Sequence, residues 1–412
     1  AHPKRLAACA DRGRPAPPRL VMSDALIAGL IGVGIAAIAA VLCWCLRAQL
    51  RYLAFRRTRH LETAEDRRRR APHEVELHTK YPAGSYELEQ ALLHEPRKER
   101  GYLTLADGRL IFYQIFSPAE VVSEAGSGAR GAPDVKAVVI MIHGYGDHCD
   151  RTTALAARAI CNSGPFVAIC FDLPGHGRSD GMHVHIPDWS AFVASAREVV
   201  TQHLKPMAKR RWGVWRDLKF FGWGHSMGGG VLFSLLSEDR ELFDGAVLVC
   251  PMLFVSEDVQ PSKILTKTLG TCVVPLMRSW PVAPSPGLGR FVHEDADFQR
   301  QLRALGDDLG YRGRVRLATG MQLTRAGELM RKRVADYDVP TLIMHGAADR
   351  VTDPRVSREL FDRMKHPDKQ LIMPEGVWHS DLLFGGPSKH EDVRRRFNAM
   401  VAWLDERSPK SV

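Results

Sequence analysis

The chain has 412 residues, 45% apolar and 25% charged, proportions of an ordinary folded protein that exclude disorder throughout. Its formal net charge is +10, yet residues 1–80 hold 15 Lys+Arg against 7 Asp+Glu, and the remainder holds 42 against 40. A larger part so close to neutral excludes a basic nucleic-acid surface.

The N-terminal 24 residues are a basic flank. From Ala25 to Leu46 there follow 22 residues without a charge, roughly 33 Å as a helix and enough to cross a bilayer core. A cleaved signal peptide is the rival reading, with Ala37-Ile38-Ala39 as its cleavage site. The length of the run and its basic stop favour a retained anchor. Within 15 residues on either side, Arg47, Arg51, Arg56, Arg57 and Arg59 outnumber Arg12, Arg14 and Arg19, which predicts a single-pass protein with its C-terminal part in the cytoplasm. Residues 47–97 are polar and broken by prolines, and they read as a tether. Beside a membrane helix, the run Arg67–Arg70 is expected to touch anionic headgroups. The eight cysteines include no C-x-x-C pair and read as free thiols in a reducing compartment.

Regular patterning begins near residue 101. Tyr102–Leu105 and Leu110–Phe116 are short strands joined through Asp107-Gly108, a hairpin signal. Apolar strands then alternate with helical stretches: Val135–Ile142, helix Arg151–Asn162, Phe166–Phe171, the amphipathic Trp189–Lys209, Lys219–Trp223, helix Gly228–Leu236, Ala246–Cys250, Thr341–Met344, Gln370–Met373 and helix Val393–Asp405. Continuous apolar strands separated by helices predict an α/β fold, a mostly parallel sheet covered on both faces. The core is expected over 98–252 and 337–407. The stretch 253–336 is too long for one crossover and reads as an inserted helical cap, with helical segments at Lys263–Thr271, Asp297–Leu305 and Thr319–Val334. Its apolar residues, including Leu265, Val273, Val274, Leu276, Met277 and Trp280, either pack on the core or line an acyl pocket. Leu265, Val274, Leu276, Met277 and Trp280 are the substrate-binding candidates.

Gly224-His225-Ser226-Met227-Gly228 matches G-x-S-x-G, the strand–turn–helix elbow of α/β-hydrolases. Glycines on either side let backbone approach the turn closely, and the helix after it aims N–H groups at a developing oxyanion. A serine hydroxyl needs a base. Asp349 stands just past the strand Thr341–Met344 and His379 just past Gln370–Met373, in the order Ser, Asp, His that the fold requires. His143-Gly144-Tyr145-Gly146 follows the first buried parallel strand, where the second oxyanion donor belongs. The donors are the amides of Tyr145 and Met227, with His143-Gly144 also shaping the turn.

Together, LADGRLIFYQIF, VIMIHGYGDH, CFDLPGHGRSDG, GWGHSMGGG, HGAADRVTD and PEGVWHSDL resemble the monoacylglycerol lipase and lysophospholipase family of α/β-hydrolases. The resemblance implies a triad of Ser226, Asp349 and His379, an oxyanion hole at Tyr145 and Met227, and a cap over an acyl tunnel. His176 and Asp180 would shape a turn. Tyr145 stands where several relatives carry a small residue, the insert Arg210–Arg216 has no counterpart role, and the cap is not matched residue by residue.

The reading is therefore a serine hydrolase of lipid acyl esters, monoacylglycerol or lysophospholipid, acting at a membrane with no cofactor and no metal. His183-Val184-His185 lacks a further ligand at metal spacing. Two alternatives stand beside it. One is a small-ester or peptidase-like enzyme of the proline iminopeptidase type; the other is a catalytically silent, membrane-tethered binding protein.

Overall fold

The computed structural model describes residues 39–40, 43, 63–70, 81–119, 121, 135–213, 218–260, 277–281, 288–304 and 307–409. The chain divides into two units, Ala1–Arg51 and Tyr52–Val412, and the sheet with all its helices lies in the second. The segment 25–46, expected to span a membrane, falls outside the described residues except for Ala39, Ala40 and Cys43. Among the described residues no helix is long and apolar enough to cross a membrane. Leu265, Val273, Val274 and Leu276 also lie outside them, as does the segment Lys263–Thr271.

Eight strands form one sheet in the order β1-β2-β4-β3-β5-β6-β7-β8: β1 Arg97–Thr104, β2 Leu110–Ser117, β3 Ala137–Ile142, β4 Phe166–Phe171, β5 Lys219–His225, β6 Gly245–Val249, β7 Thr341–Met344 and β8 Lys369–Ile372. β1 and β2 are an antiparallel hairpin turning at Gly108, whose φ is 85°. β2 pairs antiparallel with β4. Every pairing from β4 through β8 is parallel, as the unbroken apolar runs require for strands covered on both sides.

Alternation along β3 shows how the two faces are filled. Val138, Ile140 and Ile142 join one core with helices α4 (Trp189–Glu198) and α6 (Met227–Glu238), through Phe192, Ala196, Val231 and Leu232. Ala137, Val139 and Met141 join the other with α3 (Ala154–Asn162) and α10 (His390–Glu406), through Leu155, Ile160, Phe397 and Trp403. α5 (Lys205–Trp212) continues the α4 run after a widened turn at Val199–Leu204. In the cap, α7 (Ala296–Ala304) and α8 (Leu317–Arg333) lie where the periodicity predicts helices. α9 (Pro354–Arg363) is additional to the predicted elements. Asp353 caps it by accepting from the Arg355 N–H, and Pro354 opens its first turn.

Parts of the stretch 47–97, expected as a tether, are docked on the core. Helix α2 (Tyr86–Leu92) stacks Tyr86 on Phe397 of α10, with ring centroids 5.2 Å apart. Helix α1 (Ala64–Arg70) opens with a reciprocal cap between Thr63 and Asp66. Within the Arg67–Arg70 run, Arg67 is fully buried and Arg68 pairs with Asp180 at 2.8 Å. Both side chains are bound to protein groups, where the charge run alone reads as reaching outward.

Candidate active site

β5 ends at His225, and Ser226 turns the chain into α6 with φ 55° and ψ −120°. This left-handed torsion is rare for a side-chain-bearing residue. The surrounding glycines make the turn possible. A Cβ on Gly228 would land on the carbonyl oxygen of Ile142, and one on Gly224 would lie 2.6 Å from the carbonyl oxygen of Gly228. Alanine at either position would push apart the strands or the helix that hold the elbow. Backbone bonds fix it further: Ser226 N–H donates to Val249 O at 2.9 Å, and Met252 N–H donates to Ser226 O at 2.9 Å.

The loop after β3 runs against the serine, since a Cβ on Gly144 would sit 3.3 Å from Ser226 Cβ. His143 shapes this loop. Its Nε2 accepts from Leu173 N–H at 2.9 Å, which leaves Nδ1 to donate to Gly144 O at 2.8 Å. Burial keeps that ring neutral by lowering its pKa. Tyr145 is half-buried, its ring edge-on to His176 and to Tyr311 of the cap. Tyr311 N–H donates to Gly146 O at 2.9 Å.

Asp349 lies past the end of β7 and His379 past β8. His379 Nδ1 and Asp349 Oδ2 are 2.6 Å apart. The same Oδ2 meets His345 Nε2 at 3.0 Å and the Thr352 hydroxyl at 2.8 Å, while Oδ1 accepts from the N–H groups of Val351 and Thr352. Burial alone would raise the pKa of this carboxyl. The charge of His379 and the hydrogen bonds from His345 and His379 outweigh it and hold Asp349 well below the usual carboxylate range. An ionised Asp349 fixes the ring proton of His379 on Nδ1 and leaves Nε2 able to accept one. The His379 ring lies 5.2 Å from that of His225, the residue before Ser226. His225 is buried, and its pKa is pushed down to about 3 by burial and by the charge of His379.

His345 and Thr352 are neighbours of this pair that sequence reasoning passed over. His345 is four residues before Asp349 in H-G-A-A-D, and its Nδ1 bonds Ser357 on α9 at 2.7 Å. Cys250 also adjoins the pair. It has φ 42°, and its thiol donates to His379 O at 3.1 Å. Burial and the nearby Asp349 raise its pKa well above the ordinary thiol value. Cys250, Asp349 and His379 offer ligand atoms within 4.8 Å of one another, but a metal there would displace the His379–Asp349 proton and a thiol proton held tightly. His185 has Arg316 and Arg278 as charged neighbours; with burial they lower its pKa to about 4, an environment hostile to a cation.

Buried bonds join the cap to this rim. His148 Nε2 meets Asp307 Oδ1 at 3.0 Å, and Asp307 also accepts from the N–H groups of Leu309 and Gly310. The Asp307 charge pulls the His148 pKa up against burial, to about 9. The Asp150 N–H aimed at Nδ1, at 3.2 Å, works against the second ring proton that the Asp307 charge favours. His293 Nδ1 meets Asp381 Oδ1 at 2.8 Å, two residues past His379. Of the substrate-binding candidates, Met277 and Trp280 are half-buried, and Trp280 O accepts from Leu317 N–H at the start of α8.

The sheet order, the strained serine turn and the His379–Asp349 pair define an α/β-hydrolase. The family model described as serine aminopeptidase, S33, matches residues 133–384, and the chain belongs to that family. Within it, the chain is similar to monoacylglycerol lipases. It is 28% identical to the caffeoylshikimate esterase of Arabidopsis thaliana over 76% of this chain and 87% of that one. It is likewise 28% identical to the monoglyceride lipase of Homo sapiens, over 69% and 84%. A soluble variant of the monoglyceride lipase of Saccharomyces cerevisiae, in complex with a substrate analogue, superposes with a TM-score of 0.62. That match has 19% identity and covers 77% of this chain and 98% of that one.

Proposed function

We propose that the protein is a membrane-anchored serine hydrolase cleaving acyl esters of lipids, monoacylglycerol or lysophospholipid, through an acyl-enzyme on Ser226. The observation that carries this reading is the left-handed serine turn, which lies against the loop 143–146 and whose preceding residue, His225, has its ring 5.2 Å from that of His379 in the buried His379–Asp349 pair. The lipid part rests on the monoglyceride lipases among the relatives and on the apolar run 25–46. That run would hold the catalytic part beside a bilayer, on its cytoplasmic side.

In the first half-reaction His379 Nε2 takes the Ser226 proton as Oγ bonds the acyl carbon. The carbonyl electron pair moves onto oxygen, where the amides of Tyr145 and Met227 stabilise it. Collapse breaks the ester C–O bond, and the departing alcohol oxygen takes the proton from Nε2. Water then repeats the sequence on the acyl-serine, releasing the fatty acid and restoring the hydroxyl. Asp349 stays ionised throughout and stabilises the imidazolium. Met277 and Trp280, with Leu265, Val274 and Leu276, are assigned to the acyl-chain pocket.

A second reading, a small-ester or peptidase-like hydrolase, is favoured by the family description and by the caffeoylshikimate esterase relative. Hydrolysis of monoacylglycerol and of short esters by wild type and Ser226→Ala tests both. Loss of about 10⁴-fold or more in the variant, with wild type preferring long acyl chains, is expected. Equal turnover by the two proteins ends the serine mechanism; preference for short esters moves the assignment to the second reading.

A further inference from the structure

The Arg67 guanidinium is fully buried, an expensive placement for a charged side chain unless it is well bonded. Its Nε donates to Gly177 O at 2.7 Å, and its Nη2 donates to Ser179 O at 2.7 Å and to Gly181 O at 3.1 Å. Arg68 adds bonds to Arg178 O at 3.2 Å and to Asp180 Oδ1 at 2.8 Å. Helix α1 is thus seated by its arginines on one loop, more than a hundred residues away in the chain.

That loop has unusual needs. Gly175, Gly177, Gly181 and Val184 all have positive φ, between 47° and 116°. A backbone that reverses this often cannot satisfy its carbonyls in a ladder and needs donors from outside. On the catalytic side, Leu173 N–H donates to His143, and the His176 ring lies edge-on to Tyr145, 6.1 Å between centroids. On the cap side, Arg316 Nε donates to His183 O at 2.7 Å. The Thr319 hydroxyl on α8 donates to Val184 O at 3.0 Å and accepts from Ile186 N–H at 2.9 Å. Gly181 O therefore belongs to the N-terminal helix, and His183 O, two residues later, belongs to the cap.

From this continuity we infer that α1 is a brace: Arg67, as a positioning residue, sets the loop 174–187 and through it the seat of the cap, so that turnover of long-chain esters depends on residues 63–70. The inference deepens the lipid-esterase reading and rests on it for its kinetic consequence alone. The triad hangs from the ends of β5, β7 and β8, so chemistry on an ester too small to need the cap is spared.

The test uses the full chain in detergent micelles: wild type, Arg67→Ala, Arg67→Lys and Thr63→Ala. Amide exchange over 174–187 and hydrolysis of a long-chain monoacylglycerol and of p-nitrophenyl acetate are measured on each. In Arg67→Ala, exchange should accelerate and long-chain kcat/KM should fall about tenfold, while acetate turnover stays within about twofold. Arg67→Lys should recover only part of the loss, since an ammonium cannot reproduce the planar fork. Thr63→Ala, an exposed change that weakens only the helix cap, should shift the same readouts less, and it carries the test if Arg67→Ala fails to fold. Unchanged exchange and long-chain turnover in folded variants would overturn the brace, as would equal losses on both esters. Should wild type hydrolyse neither ester, the lipid-esterase reading fails while exchange over 174–187 still decides the brace.

Discussion

Two buried imidazole–carboxylate pairs, His379–Asp349 in the candidate site and His148–Asp307 on the seam with the 253–336 insert, use the same groups in opposite ways. At His148–Asp307 both ring nitrogens are committed, Nδ1 to the Asp150 N–H and Nε2 to the carboxylate. Nothing is left with which to move a proton, and the pair acts as a bolt between the loop after β3 and the cap. At His379–Asp349 only Nδ1 is engaged. The carboxylate is the over-supplied partner, with five hydrogen bonds at its two oxygens. The first pair saturates its ring; the second saturates the acid and, among the described residues, leaves one ring nitrogen open, as the proposed base requires.

Replacing each acid by its amide should separate these roles most sharply. Asp349→Asn, which offers the wrong partner to Nδ1, is expected to lower kcat about 10⁴-fold with a small change in melting temperature. Asp307→Asn retains an oxygen for its donors and should leave kcat nearly intact. Asp307→Ala strands the buried His148 N–H and two backbone N–H groups, at a cost of about 3 kcal/mol in denaturant unfolding.

His345 sharpens the comparison from inside the catalytic pair. His345→Leu removes a donor from Asp349 and makes that carboxylate a stronger attractor of the His379 proton. The acid limb of the kcat/KM–pH profile should then move upward by about half to one pH unit, with kcat down roughly tenfold. His345→Gln, which keeps a donor, should return the limb toward wild type.

A third pair crosses from cap to core in the open. Arg350, the neighbour of Asp349, meets Asp258 at 2.8 Å with both side chains close to half exposed. Asp258→Ala should change stability by no more than about 0.5 kcal/mol, less still at high salt. A loss comparable to that of Asp307→Ala would mean that burial is not what separates these contacts.

The placement of the candidate residues was largely legible in the sequence because it is tied to local signals. G-x-S-x-G needs its glycines within five residues, and Asp349 and His379 each follow a short apolar strand. Helices α7 and α8 were legible from periodicity. Asp353-Pro354 is the sequence signal for the start of α9. The seam and the brace were not legible, for a physical reason. His148 and Asp307 are 159 residues apart, and although His148 ends the block VIMIHGYGDH, nothing in the sequence links it to Asp307. Four consecutive arginines look solvated unless one knows that three carbonyls of a distant, left-turning loop await one of them.

The torsion at Ser226 has a further consequence for anyone selecting hardier versions of this protein. A left-handed backbone costs an L-residue about 1–2 kcal/mol, and glycine would occupy φ 55° without that penalty while being chemically mute. On the proposed serine mechanism, thermal robustness and reactivity are therefore opposed at this position, and a screen scored on melting alone would drift there toward inert proteins.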